Sequence, residues 1–141
     1  MTYSVSTCKA ELTAITNKRK EYTTAKDKIK TAKGTCNTDV NRYAKTISKI
    51  KGDLLKMKKN NSFEGELAKQ LTKEVSNFKK DLDLASKKAD KLGTAADSQI
   101  SKIDTKLTEL STSETTWNGR LATATATAAV AAAAAAATSS K

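Results

Sequence analysis

A seven-residue spacing of uncharged side chains runs through the first half of the chain and limits the possible folds more than any other feature. Steps of seven reach Cys8, Ile15, Tyr22, Ile29, Cys36, Tyr43, Ile50 and Met57. A companion column contains Leu12 and Ile47 and is basic in its middle, at Arg19, Lys26 and Lys33. Two columns sustained over this length are typical of a coiled-coil seam. We therefore predict one helix over residues 4–58.

A second pair of columns follows residue 64. One column contains Ala68, Val75, Leu82, Ala89, Ala96, Ile103, Leu110 and Trp117. The other begins at Leu71 and Phe78 and shifts by one residue near Gly93 before it reaches Leu107. These columns predict a second helix over residues 64–110. The Asn, Ser and Gly residues between the helices predict a turn at 59–64, where Asn61 or Ser62 can cap the second helix.

Two amphipathic helices joined by a short turn must cover each other's apolar stripes. The predicted fold is therefore all-α, a long antiparallel two-helix hairpin of the coiled-coil type over residues 1–110. Because two helices alone supply a small core, we also expect a protein partner. The predicted partner-binding seam consists of Leu12, Ile15, Tyr22, Ile29, Tyr43, Ile47, Ile50, Leu71, Val75, Phe78, Leu82, Ile103, Leu107, Leu110 and Trp117.

The residues needed for most chemistry are missing. The 141 residues include no His, the commonest metal ligand and the usual general base near neutral pH. We find no glycine-rich phosphate loop, no CxxC pair and no nucleophile beside a base. Cys8 and Cys36 are too far apart on one helix to form a bridge, and we expect both to be reduced. The sequence predicts no enzyme, no cofactor and no metal site.

Positive charge is concentrated in the first half of the chain. Residues 1–62 contain 15 Lys/Arg and 5 Asp/Glu, whereas residues 63–141 contain 11 and 10. This imbalance fits an acidic partner, nucleic acid, an anionic membrane or simply a solvated helix face. Nucleic acid is the less favoured ligand, because no aromatic residues alternate with the basic ones for stacking on bases.

The last 31 residues form a predicted Ala-rich C-terminal helical extension, 111–141. Residues 121–137 are almost entirely Ala and Thr, and Ala has the highest helix propensity. The segment is either a frayed extension or a docking segment for another helix. Trp117 is either the next seam residue or close to a helix end at Asn118-Gly119. We expect neither a signal peptide nor a transmembrane segment, since Leu, Ile and Phe are scarce here.

An aromatic-x-Gly tripeptide, Phe63-Glu64-Gly65, lies at the predicted turn and is followed by residues 66–71, ELAKQL. This arrangement resembles the WXG-type small helical-hairpin proteins of bacterial type VII secretion, and in particular the relatives that accompany LXG-domain toxins. Phe63 stands where that family has Trp. On the simpler interpretation, Phe63 is a hydrophobic staple against Leu67.

The resemblance implies pairing along the hairpin, either with a second copy or with an effector that has a helical N-terminal domain. It implies a bacterial cytoplasmic protein that is later secreted or held at the cell surface without a signal peptide. The family's export signal, an aromatic residue followed four residues later by an acid, is absent after the second helix. The resemblance therefore implies that the partner carries the signal. Two other functions stay open: a basic coiled coil that binds nucleic acid, and a structural filament or surface-assembly subunit.

Overall fold

A computed structural model describes residues 2–59 and 65–139 and places two helices in them, α1 (Val5–Lys59) and α2 (Glu66–Ser139). The helices pack against each other, which confirms the predicted all-α helical hairpin. The start of α1, its end and the start of α2 lie within two residues of the predicted positions. Phe63 and Glu64, with most of the predicted turn, lie outside the described residues.

The second helix continues beyond residue 110, in agreement with the predicted helical extension. α2 passes residue 110 and the Asn118-Gly119 pair without a break, so the Ala-rich extension is part of the same helix. Three threonine hydroxyls in this part donate to the carbonyl oxygen four residues earlier, at 2.8–3.1 Å: those of Thr123, Thr125 and Thr127. These bonds satisfy the hydroxyl groups locally and let a Thr-rich segment remain helical beside Ala.

The described helix starts are capped in different ways. The Thr7 backbone N–H donates to Ser4 Oγ at 3.1 Å, so Ser4 is the N-cap of α1. α2 begins after Gly65, whose φ of 84° lies in the left-handed region. Gly65 therefore stands immediately before α2, where the sequence predicted Asn61 or Ser62 as the helix cap. Those two residues lie outside the described part of the chain. Glu66 places a carboxylate in the first turn, where the helix dipole favours it.

The chain divides into two compact units, each containing part of both helices. Unit 1 comprises the described residues of 1–27 and 100–141, and unit 2 comprises those of 28–99. In unit 1, Cys8, Ile15 and Ala124 are buried. Six predicted seam residues are half-buried beside them: Leu12, Tyr22, Ile103, Leu107, Leu110 and Trp117. These residues therefore lie along the contact between α1 and α2 in unit 1.

The contact line in unit 2 leaves the first predicted column of α1 and follows the companion column. After Cys36, the half-buried apolar side chains of α1 are Val40, Ala44, Ile47 and Leu54. Tyr43 and Ile50 are instead exposed, by 60% and 46%. A straight α-helix has 3.6 residues per turn, so a strict seven-residue column drifts away from a straight contact line by about 20° per heptad. The drift explains why the later members of the column turn outward.

The corresponding part of α2 shows a similar departure. Val75, Leu82, Ser86 and Gly93 are half-buried, and Ala68 and Ala89 are buried. Leu71, Phe78 and Leu92 of the predicted companion column are exposed. The one-residue shift expected near Gly93 therefore lies earlier, before Ser86. Gly93 itself faces α1, where a Cβ atom would lie 3.6 Å from Lys33 Cε.

Two glycine substitutions should change stability in opposite directions. Gly34 lies inside α1 and a Cβ atom there would meet no heavy atom within 4 Å. Gly34→Ala should raise the free energy of unfolding by about 0.5–1 kcal/mol. Gly65→Ala should lower it by about 1 kcal/mol because of its positive φ. Urea unfolding followed by circular dichroism measures both, and a shift in the same direction would contradict the assignment of Gly65.

Candidate protein-docking face

The three basic residues of the companion column of α1 form ion pairs with carboxylates of α2. The pairs are Arg19–Glu114, Lys26–Asp104 and Lys33–Asp97. Lys33 Nζ donates to both carboxylate oxygens of Asp97, at 2.6 and 2.7 Å. Because all six side chains are partly exposed, each pair contributes at most about 1 kcal/mol. These cations are therefore already paired within the hairpin. The pairs favour the observed antiparallel register of the helices within each unit.

An aromatic cluster closes the end of unit 1 near the start of α1. The rings of Tyr3 and Trp117 lie edge to face, with centroids 5.1 Å apart. The Arg120 guanidinium lies 4.5 Å from both ring centroids. Trp117 is thus a seam residue within α2 and does not mark a helix end. Among the described residues of unit 1, Val130 stands out as an exposed large hydrophobic side chain, at 70%.

Unit 2 carries an exposed apolar surface that unit 1 lacks. We define the apolar face as Tyr43 and Ile50 of α1 with Leu67, Leu71, Phe78 and Leu92 of α2. Their side chains are 37–60% exposed, and four of them belong to the predicted partner-binding seam. The remaining predicted seam residues of unit 2 are half-buried between the helices: Ile29, Ile47, Val75 and Leu82.

Both parts of the apolar face lie on one side of the helix pair. Tyr43 follows the contact residue Val40 by three positions, and Phe78 follows the contact residue Val75 by three. The same offset relates Ile50 to Ile47, Leu71 to Ala68 and Leu92 to Ala89. Three residues turn a helix by about 300°, which is a backward rotation of about 60° from the contact line. Since antiparallel helices turn in opposite senses when viewed along one axis, equal rotations bring both stripes to the same side.

Carboxylates flank the apolar face. Residues three or four positions from a helical residue are its neighbours on the surface. Among the described residues, the charged neighbours of the apolar face are Asp39, Asp53, Glu74, Asp81 and Lys88. We call these five residues the rim. Asp39 is paired with Arg42 at 3.2 Å. The rim is predominantly acidic, in contrast to the net charge of +11 for the whole chain.

A row of lysines lies on another face of α2. We define the lysine stripe as Lys69, Lys73, Lys80, Lys87 and Lys91, all exposed. Lys69, Lys80 and Lys91 are eleven residues apart, close to three helical turns, so the row stays straight. Ser76 and Asn77 lie beside it in a shallow depression of about 450 Å³. None of the five lysines forms an ion pair within the described ranges.

Titratable groups do not gather into a chemical site in the described part of the chain. No group of three or more His, Cys, Asp or Glu residues there could hold a metal ion. Cys8 is buried and Cys36 half-buried, and both are free thiols. Lys106 donates to Glu109 at 2.6 Å, and this hydrogen bond raises the pKa of the Lys106 ammonium group above its ordinary value. That group is already protonated at neutral pH, so the shift changes no charge there.

One stretch of α2 is long and apolar enough to cross a membrane by length and composition. Its mean hydropathy is 1.5 over 18 residues, of which 6% are buried. This finding differs from the expectation of no transmembrane segment. The part of α2 after Arg120 is free of charge and consists mainly of Ala and Thr. Those residues favour insertion far less than Leu, Ile or Phe, so length and mean hydropathy together are weak evidence for a membrane span.

Comparisons with protein-family models, curated proteins and solved structures found no match to this chain. The resemblance to WXG-type proteins therefore stays a hypothesis that rests on the hairpin and the tripeptide.

Removing the Trp117 side chain should loosen the start of α1. Trp117→Ala loses the contacts with Tyr3 and Arg120, which together contribute about 1.5 kcal/mol. We expect labelling of the buried Cys8 thiol to become about tenfold faster, while labelling of Cys36 in unit 2 is unchanged. Thiol-labelling kinetics with mass spectrometry measure both rates. Val130→Ala is the matched control, and an unchanged Cys8 rate in the Trp117 variant would contradict the role of the cluster.

Proposed function

We propose that this chain is a non-enzymatic helical partner protein that docks a helix-bearing effector on its apolar face and accompanies it in type VII-like secretion. The observation that carries the proposal is the apolar face of unit 2. Soluble monomers seldom expose large contiguous apolar patches, and such patches mark interaction sites. Here six large side chains from two helices lie on one side.

The shape of the apolar face suits a helix. Two antiparallel helices form a groove between their side-chain rows, into which a third helix packs with its own ridge of side chains. Docking would also enlarge the small core of unit 2, where Ala68 and Ala89 are the buried apolar residues among those described. The hairpin thus gains stability from the same contacts that bind the partner.

The secretion setting is supported by the turn tripeptide. Gly65 has a positive φ and immediately precedes α2, so the last residue of the tripeptide stands where glycine is favoured for a physical reason. The proposal places the protein in the bacterial cytoplasm before export and at the cell surface or outside afterwards. The effector would carry the export signal, since residues 79–141 contain no Tyr or Phe.

Phe78 is the residue of choice for testing the docking function. Phe78→Asp puts a charge in the middle of the apolar face and should weaken binding of the effector encoded beside this chain by at least about 2 kcal/mol, or roughly thirtyfold. Leu84→Asp is the matched control, since Leu84 is similarly exposed (54% against 59%) but lies four residues from Lys80 on the lysine side of α2.

The readouts are the dissociation constant of the purified pair and the amount of both proteins in the medium of the producing cells. Equal effects of the two substitutions on affinity would contradict docking at the apolar face. Loss of affinity without any loss of export would keep the docking function and contradict the secretion setting.

A second candidate function is favoured by the lysine stripe. A straight row of five unpaired lysines can neutralise phosphates of duplex nucleic acid without stacking on bases. If it does, Lys69→Glu combined with Lys80→Glu should weaken binding of duplex DNA by at least tenfold, with a shallower salt dependence. Fluorescence anisotropy over a salt titration measures this. An absence of binding by the unmodified chain at about 50 mM salt would remove this function.

A further inference from the structure

The charges that surround the apolar face have the opposite sign to those of the rest of unit 2. Residues 28–99 contain 17 Lys/Arg and 9 Asp/Glu. The rim nevertheless consists of four carboxylates and one lysine. We propose that the occupant of the apolar face is an amphipathic helix of a different protein, with Lys or Arg on both flanks of its apolar stripe. This inference rests on the proposed function and specifies the chemistry of its partner.

The rim carboxylates are free to pair with such a helix. Asp53, Glu74 and Asp81 are exposed and form no ion pair within residues 2–59 and 65–139. Glu74 lies between Leu71 and Phe78 on the surface of α2, three residues after one and four before the other. A helix that covers these side chains removes water from the carboxylate, which then needs a cation close by. Lysine and arginine side chains can supply it while their stems cover apolar surface.

Both helices contribute carboxylates to the rim. Asp53 of α1 is three residues from Ile50, and Asp81 of α2 is three residues from Phe78. Because α1 and α2 form the two edges of the apolar face, a helix seated between them meets negative charge on either flank. This arrangement selects a basic partner and rejects an acidic one, which gives specificity and a faster encounter.

A second copy of this chain does not fit the apolar face. A twofold-symmetric dimer places the same surface against itself, so the rim of one copy would meet the rim of the other. Like charges would then face each other at both edges while water is excluded. The net charge of +11 on each chain adds long-range repulsion between copies.

The length of the apolar face sets the length of the partner helix. Leu67 and Leu92 are 25 positions apart in α2. At 1.5 Å per residue this is about 38 Å, which matches a helix of about 25 residues. Such a helix would place apolar anchors at i, i+3 or i+4 and i+7 over several turns.

Two synthetic peptides test the inference on the full chain. Both are helical, about 25 residues long, with the same Leu/Ile stripe, and they differ only in carrying Lys or Glu on the flanks. We expect the Lys-flanked peptide to bind at least tenfold more tightly in fluorescence anisotropy, and high salt to reduce this preference. Since the chain is strongly basic, net charge alone predicts the reverse order.

Charge-reversal variants test whether the rim carboxylates cause the preference for the Lys-flanked peptide. Glu74→Lys with Asp81→Lys should invert the preference between the two peptides. The matched control is Asp83→Lys with Asp90→Lys, which makes the same change in net charge on α2. Asp83 and Asp90 follow the contact residues Leu82 and Ala89 by one position, so they are rotated away from the apolar face. The control variant should retain the preference for the Lys-flanked peptide.

Several outcomes would overturn the inference. Equal binding of both peptides, or tighter binding of the Glu-flanked one, refutes a basic partner and leaves the docking function intact. Self-association that Phe78→Asp abolishes, seen by sedimentation, assigns the face to a second copy. If neither peptide binds, the proposal that a basic helix occupies the apolar face is refuted. The proposed function then fails as well only if the effector complex is also insensitive to Phe78→Asp.

Discussion

A two-helix hairpin can cover only one line of contact on each helix, and this limit determines where the chain is closed and where it is open. In unit 1 the contact line follows the apolar residues, and Cys8, Ile15 and Ala124 are buried along it. In unit 2 the line passes through Val40 and Val75, and the stripes beside it stay exposed. No rearrangement of two helices covers both the contact line and those stripes. The exposed stripes are therefore surplus apolar surface, which a further helix can bury.

The charged residues at the helix contact specify register more than they add stability. Lys33 runs its stem past Gly93 and reaches Asp97, so the lysine serves as an apolar spacer with a charged tip. A Cβ atom at residue 93 would lie in ordinary van der Waals contact with that stem, at 3.6 Å. Partly exposed ion pairs contribute little energy, yet a slip of the helices would separate all of them at once. The basic middle of the companion column thus opposes alternative registers.

Much of the fold could be predicted from the sequence, because helix formation and its apolar period are local properties. The bounds of α1 and the hairpin itself follow from that period. The helical extension of α2 was also predicted, from the high helix propensity of Ala. The sequence left a helix end at Asn118-Gly119 open; α2 passes through that pair, and the hydroxyls of Thr123 and Thr125 beyond it bond back to the backbone. The split of the predicted seam into covered residues and exposed ones such as Tyr43 could not be foreseen. It depends on how the two helices pack against each other, as does the pairing of Lys33 with Asp97.

The Ala-rich end of α2 lacks the features on which the proposed docking at unit 2 depends. Residues 125–139 are helical and exposed, and apart from Val130 they carry no large apolar side chain. A helix of this length is marginal alone in water, but here it propagates from the packed turns before it, so no new nucleation is needed. Alanine methyl groups bury little area and carry no charge, and they select poorly among partners. The aromatic and branched residues beside the acidic rim of unit 2 offer a partner a large apolar area together with charge selection. The end of α2 lacks both.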